Sequence, residues 1–364
     1  MNIGVDASRA TRGLRTGTEN YSLHVVRELA GLPSPHQFTL YFNQPPEPGL
    51  FPDSPRVRQR PMPFPRLWTH VRLASEMLLR PPDVLFVPAH VLPLAHPRAV
   101  ATVHDMGYRH FPEAHTWKAR LYLEWGTRHN ARASRLVIAD SHATREDLVK
   151  FYGISESKIR VAYPGVRPDL SPVRDAVRLN DTLGRYGIPP PYALYVGTLQ
   201  PRKNLQRLIE AFAQVPEPYT MVLAGKKGWL YANILRRAES LGIGHRVLFP
   251  GYVQDEDLPA LLSGASLFAF PSLYEGFGMP VLEAMACGVP VVCSDTSSLP
   301  EVAGDAALTV SPTDTEALAA AMNRVLTDEE LRRALIARGL ERARLFTWRR
   351  CAEEILVTLE EAAA

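Results

Sequence analysis

The sequence predicts an α/β protein made of two Rossmann-like, doubly wound domains facing across a cleft. Three observations carry that expectation. At 364 residues the chain is long for one hydrophobic core and comfortable for two. Short β-branched runs alternate with longer amphipathic ones, the pattern of parallel strands covered by helices on both faces. The alternation runs twice, and Pro189-Pro190-Pro191 separates the two runs as a rigid connector.

In the first run, residues 1–170, the expected strands are Asn2–Asp6, Phe38–Phe42, Val84–Val87, Val100–Val103, Leu136–Ala139 and Ile159–Ala162. The expected helices are Asn20–Ala30, Leu67–Leu79, Lys118–Ala131 and Thr144–Tyr152. The proline-rich stretch Pro45–Pro65 reads as a long surface loop, and residues 171–191 as a linker. The second run, 192–345, opens with a strand at Tyr192–Val196 and a helix at Leu205–Gln214. Strands follow at Met221–Ala224, Val247–Phe249, Leu267–Phe270 and Val289–Cys293. The last fifty residues are helical, over Thr315–Leu326, Glu329–Leu345 and Arg350–Glu361. In open parallel sheets ligands bind beyond the carboxyl ends of the strands, so the residues just after each strand are the ones to inspect.

With 46% apolar and 22% charged residues, the composition is that of a globular protein. The formal charge is +3 overall, yet residues 1–170 hold 22 Lys and Arg against 15 Asp and Glu, and the remainder 19 against 23. A basic first half fits either an anionic partner, such as a lipid phosphate or membrane surface, or unevenly solvated charge. Three scattered cysteines (Cys287, Cys293, Cys351) make neither a disulfide framework nor paired metal-ligand spacing, and fit free thiols in a reducing compartment. The most apolar stretch, Val84–Val103, is interrupted by three prolines and two histidines, and the start lacks a basic region followed by an apolar run. A cytoplasmic protein is expected, with room for peripheral contact at the inner membrane face and no nucleic-acid partner.

Five segments carry candidate chemistry. In the first, the strand ending near Phe270 leads through Glu275-Gly276-Phe277-Gly278 into a helix beginning near Pro280, with Glu283 in its first turn. Unpaired N–H groups at such a helix start receive hydroxyls or a diphosphate, and the glycines permit close approach. In the second, Arg202 and Lys203 stand at a helix start, where cations are disfavoured by roughly 0.3–1 kcal/mol each, so an anion is expected there. His104 closes the central strand Val100–Val103 and reads either as a hydroxyl contact or as a satisfied structural histidine. The loop Arg12–Gly17 has glycines without the dinucleotide spacing. Last, Arg56–Arg60 and Arg66–Arg72 place cations beside aromatics, which reads as a membrane or acceptor face or as a solvated helix.

Taken together, the segments resemble glycosyltransferase family 4 and its GT-B fold. The carriers are Glu275 and Glu283, separated by seven residues after an aromatic-Pro-Ser turn, with Gly251-Tyr252-Val253 and the acidic run Asp255–Asp257. Ser298-Leu-Pro-Glu301-Val, Val137-Ile-Ala-Asp-Ser141 and Tyr163-Pro-Gly-Val166 complete the pattern. The resemblance implies a retaining glycosyltransferase that moves a hexose from an NDP-sugar, GDP-mannose or a UDP-sugar, to a hydroxyl of a glycan, lipid-linked or small-molecule acceptor. It implies that Glu275, with the backbone of Gly276, Phe277, Gly278 and Met279, holds the donor sugar, and that Glu283 binds the ribose. Arg202 and Lys203 would neutralise the diphosphate, Val253 would lie on the nucleotide side, and Gly17 would approach a phosphate. His104 would touch the sugar. No cofactor or metal is implied, and helix 346–364 is expected to complete the first, acceptor-side domain.

Two departures stand out. Thr198 replaces an arginine common in relatives, and Glu19 stands where many have a glycine, so its charge opposes the Gly17 contact. The wording from Gly197 to Asn204 leans toward mannosyltransferases. The alternatives are a non-catalytic nucleotide-sugar binder and a hydrolase using the two glutamates as acid and nucleophile.

Overall fold

The computed structural model describes residues 1–11, 17–89, 91–114, 116–228 and 231–364. The chain divides into two compact units, one of Met1–Arg109, His115–Gly165 and Phe346–Ala364, the other of His110–Ala114 and Val166–Leu345.

The first unit is built on seven parallel strands: β1 (Asn2–Asp6), β2 (Gln37–Phe42), β3 (Val57–Pro61), β4 (Val84–Val87), β5 (Ala99–Val103), β6 (Leu136–Ala139) and β7 (Ile159–Val161). Their spatial order is β3-β2-β1-β4-β5-β6-β7. The order reverses between β1 and β4, so the switch point of the sheet lies at their carboxyl ends. Strands β4 and β5 are buried along their whole length, as expected of a sheet covered on both faces. The covering helices are α1 (Gly17–Gly31), α2 (Ala74–Leu79), α3 (Gly107–His110), α4 (Trp117–Ala133), α5 (His142–Tyr152) and, from the end of the chain, Trp348–Ala363. That last helix packs on α1 and against β4, β5 and β6. Gly165 faces it so closely that an added Cβ would lie 2.1 Å from the Trp348 amide nitrogen, which explains the glycine of the Tyr163-Pro-Gly motif.

The second unit holds six parallel strands: β8 (Tyr192–Val196), β9 (Thr220–Ala224), β10 (Val247–Gly251), β11 (Leu267–Phe270), β12 (Val291–Ser294) and β13 (Ala307–Val310), in the order β10-β9-β8-β11-β12-β13. Its switch point lies between β8 and β11. The helices are α6 (Ala176–Tyr186), α7 (Leu205–Phe212), α8 (Tyr231–Ser240), α9 (Leu258–Ser263), α10 (Met279–Ala286), α11 (Leu299–Ala303), α12 (Thr315–Thr327) and α13 (Glu329–Arg344), so the chain-terminal Trp348–Ala363 is α14. All three cysteines are free and buried. Among the described residues, no helix is long and apolar enough to cross a membrane.

Three expectations are corrected. Residues 45–65 are not all loop, because Val57–Pro61 pairs with β2 as an edge strand. Its charged, exposed residues suit an edge and hide the strand from a hydrophobic pattern. Residues 171–191 are not a linker. The unit boundary falls after Gly165, and α6 is capped at its start by Asp175 and ended by Gly187 at φ 62°. Finally, the segment 66–72 is not a face of cations beside a surface tryptophan. Trp68 is buried with its indole N–H on the Met62 carbonyl at 2.8 Å, and the helix opens as a π-helical turn, Thr69–Leu73.

Candidate active site

The charged cluster of the second unit sits at its switch point. The chain leaving β8 turns at Gly197, where a Cβ would meet the Tyr195 hydroxyl at 2.6 Å, then forms a 3-10 turn over Pro201–Lys203. Asn204 follows in the left-handed region at φ 60°, and its amide donates to the carbonyls of Pro271 (3.0 Å) and Pro312 (2.7 Å). That pins the turn to the chain leaving β11. Lys203 Nζ donates to Glu275 Oε1 at 2.5 Å and Arg202 Nη1 lies 3.5 Å from Glu275 Oε2, while Arg202 also donates to the Tyr274 carbonyl at 2.6 Å. Burial alone would raise the Glu275 carboxyl, but the charges of Lys203 and Arg202 outweigh it and hold the group below its ordinary range.

This geometry revises the argument that put an anion beside Arg202 and Lys203. They precede α7 in a separate turn, and Glu275 already offsets part of their charge. Two cations and one carboxylate thus meet at the end of β8.

The loop carrying Glu275 is braced from below. Ser297, at φ 54°, accepts the Glu275 N–H on its hydroxyl at 3.0 Å, and Ser298 Oγ donates to the carbonyls of Glu275 (2.9 Å) and Phe277 (2.7 Å). Gly276, Phe277 and Gly278 are buried, and Met279 begins α10 half-buried. Gly278 has φ 105° and would set a Cβ 2.6 Å from Leu299, so only glycine fits the turn.

Glu283 lies one turn into α10, half-buried, and burial pushes its carboxyl up to about 7 despite the nearby Arg167. Arg167 itself was not identified from the sequence. It is 8% exposed, with Nε and Nη2 on Asp169 (3.1 and 2.5 Å) and Nη1 on Asp255 (3.2 Å). The acidic run after Val253 is thus engaged by protein cations, Asp257 by both Arg185 (2.6 Å) and the Tyr186 hydroxyl (2.8 Å). Val253 is buried two residues beyond Gly251, which sits at φ 83°.

In the first unit, His104 follows β5 and its Nδ1 is 2.7 Å from Asp140 Oδ2, at the end of β6. Burial would lower the imidazole, but the Asp140 charge and hydrogen bond overcome it and raise the group. Asp140 is the second residue missed, although the quoted Ala-Asp-Ser motif contains it. Ser141 beside it caps α5 by accepting the Thr144 N–H at 3.0 Å. A cavity of about 430 Å³ opens there, lined by Arg9, Thr18, Glu19, His104, Asp105 and Tyr122 among others. Gly17 starts α1 just before Thr18, and Glu19 lies 3.5 Å from Arg9, which tempers the charge opposed to an anion at that helix start. Arg12–Thr16 lie outside the described residues. Among the described residues, no group of three or more His, Cys, Asp or Glu is placed to hold a metal ion.

The two parallel α/β domains match those of GT-B glycosyltransferases. Residues 15–170 match the description Glycosyltransferase Family 4 and residues 186–342 match Glycosyl transferases group 1. The chain belongs to glycosyltransferase family 4. It is 35% identical over 274 residues to O-antigen chain mannosyltransferase B of Escherichia coli, covering 74% of this chain and 72% of that protein. It is also 34% identical over 219 residues to the serotype-specific mannosyltransferase WbdA of Escherichia coli, covering 58% of this chain but only 27% of the much longer relative. Among solved structures, Alr3699/HepE of Anabaena in complex with UDP and glucose superposes with a TM-score of 0.76 over 99% of both chains at 20% identity.

Proposed function

We propose that this glycosyltransferase moves mannose from GDP-mannose to a hydroxyl of a glycan, lipid-linked or small-molecule acceptor, with retention of anomeric configuration and without a metal ion. The observation that carries it is the cluster of Arg202, Lys203 and Glu275, which holds two cations at a sheet switch point. As the bond between the sugar anomeric carbon and the diphosphate oxygen breaks, negative charge accumulates on the leaving group, and preorganised cations stabilise it. The acceptor oxygen bonds to the anomeric carbon from the same face, and its proton passes to the departing phosphate oxygen. Glu275 and the backbone of Gly276–Met279 hold the sugar, Glu283 the ribose, and Val253 flanks the nucleotide. His104, steadied by Asp140, offers a hydrogen-bonding imidazole in the acceptor-side domain.

The mannosyl reading is supported by the mannosyltransferase relatives. HepE, in complex with UDP and glucose, makes UDP-sugars the second donor class to test. A thermal-shift screen with GDP, UDP, ADP and their sugars, followed by nucleotide release with an acceptor, tests the proposal. Stabilisation by GDP and GDP release from GDP-mannose are expected. A response to UDP-sugars alone would replace the donor, and binding without release across a broad acceptor panel would mark a non-catalytic binder.

A further inference from the structure

Within the second unit, the segment that begins at Val166 runs along α10. The Val173 N–H donates to Ser263 Oγ at 2.9 Å, and that hydroxyl donates in turn to the Cys287 carbonyl at 3.4 Å. Pro172 lies 3.5 Å from where a Cβ on Gly288 would stand. Glu283 is one turn before Cys287, and the same segment brings Arg167 near enough for the two charges to act on each other. Arg167 is held from two sides. Asp169 accepts its Nε and Nη2, Asp255 accepts its Nη1, and the Asp255 carbonyl accepts Nη2 at 3.3 Å. The Glu283 carboxylate, by contrast, has no hydrogen bond or ion pair to protein among the described residues. Two carboxylates anchor the guanidinium, and a third near it is left open.

An ionised carboxylate accepts two neighbouring hydroxyls at once, whereas a protonated one gives up an acceptor oxygen to its own proton. Resting on the reading that Glu283 binds the ribose, we propose that Arg167 is a positioning residue for the nucleotide, its anchored charge holding Glu283 ionised for the ribose hydroxyls. Burial pushes Glu283 up to about 7, Arg167 lowers it, and Asp169 and Asp255 raise it, so the cluster sets the pH above which the donor is held. The other elements packed on α10 add few charges. Helix α9 and strands β11 and β12 carry none, and the Cys287 and Cys293 thiols are each pushed up to about 12 by burial. Helix α11 adds Glu301, and α13 sends Arg342 to the Glu301 and Val302 carbonyls.

Calorimetric binding of GDP-mannose to the full chain across the neutral range tests this, with UDP-glucose in its place if the thermal-shift screen selects it. A nucleotide-sugar is the right probe because it lacks the terminal phosphate whose second proton leaves near about pH 6. Wild-type affinity is expected to rise as pH passes through about 7. Arg167→Met should move that rise up by about one pH unit, weakening binding about tenfold near pH 6 and hardly at all near pH 9. Arg167→Lys should restore most of the wild-type profile. Asp255→Asn removes an opposing charge from a side chain that is 54% exposed, so it should fold and move the rise to lower pH. Glu283→Gln should abolish the rise. If the rise survives in Glu283→Gln, the ribose assignment fails and the proposal with it. If Glu283→Gln abolishes the rise while Arg167→Met keeps the wild-type profile, or weakens binding equally at every pH, the assignment stands and the role of Arg167 is overturned. A flat wild-type profile, or one that Asp255→Asn leaves in place, overturns it as well.

Discussion

In the C-terminal domain the polar residues at the switch point are locked to one another: Lys203 and Arg202 to Glu275, Asn204 to two carbonyls, Ser297 and Ser298 to the loop backbone. In the N-terminal domain the corresponding strand ends surround an open cavity, with two separate pairs, His104 with Asp140 and Arg9 with Glu19, at its wall. The difference follows from what each arrangement stabilises by itself. A closed network of buried charges couples site and fold, so that damage to one member reaches both. A cavity walled by separate pairs leaves the fold less sensitive to any one change in the site. The first suits a ligand whose charge never varies, such as a diphosphate, and the second a partner whose shape does.

The sharpest test of that contrast is Lys203→Ala. It should lower kcat by about 10²–10³. It should also lower the unfolding midpoint, because Glu275 stays buried with weakened compensation. A variant that loses activity with an unchanged midpoint would show the network to be structurally idle. His104→Ala is expected to cost about ten- to a hundredfold in turnover, the range of a hydrogen bond from a charged group. Nucleotide-induced stabilisation should stay at the wild-type level, and its loss would erase the distinction between the domains.

Ser298→Ala removes the one hydroxyl proton shared by the Glu275 and Phe277 carbonyls and should destabilise by about 1–2 kcal/mol, read in denaturant melts. The last test is a pH signature. The raised Glu283 carboxyl contributes stability that is complete below its ordinary value of 4.5 and is lost as pH rises through about 7. Glu283→Gln should therefore gain on the wild type as pH rises from 4.5 to about 7. A constant difference across that interval would contradict the burial assigned to the group. Glu275 acts with the opposite sign, its depressed carboxyl stabilising above the ordinary range and failing on acidification.

Both arms of the second unit's switch point were legible because strand ends and helix starts leave strong local marks. Phe270 to Pro280 and Val196 to Leu205 each pair a β-rich run with glycine, proline and a helical period. What surrounds them was not legible. Arg202 meets the Tyr274 carbonyl 72 positions away, and Ser298 reaches back 23 to the Glu275 carbonyl, separations that no local pattern records. Arg167 reads as an ordinary cation until Asp169 and Asp255 close on it. The missed edge strand β3 has another cause, since its residues are charged and exposed, whereas α6 was passed over as a connector beside the proline run despite Asp175 and Gly187 at its ends. The cations before α7 pointed to an anion, and the carboxylate that meets them, Glu275, lay in another motif already in view.

The close packing of Gly165 against Trp348 has a consequence for how the molecule is made. The strands of the N-terminal domain leave the ribosome before residues 166–345, yet α14, which covers their sheet, emerges only after those residues. Most of the second unit is therefore available to fold during translation while the first still lacks a helix. Until α14 emerges, the faces of α1 and β4–β6 that it covers stay exposed.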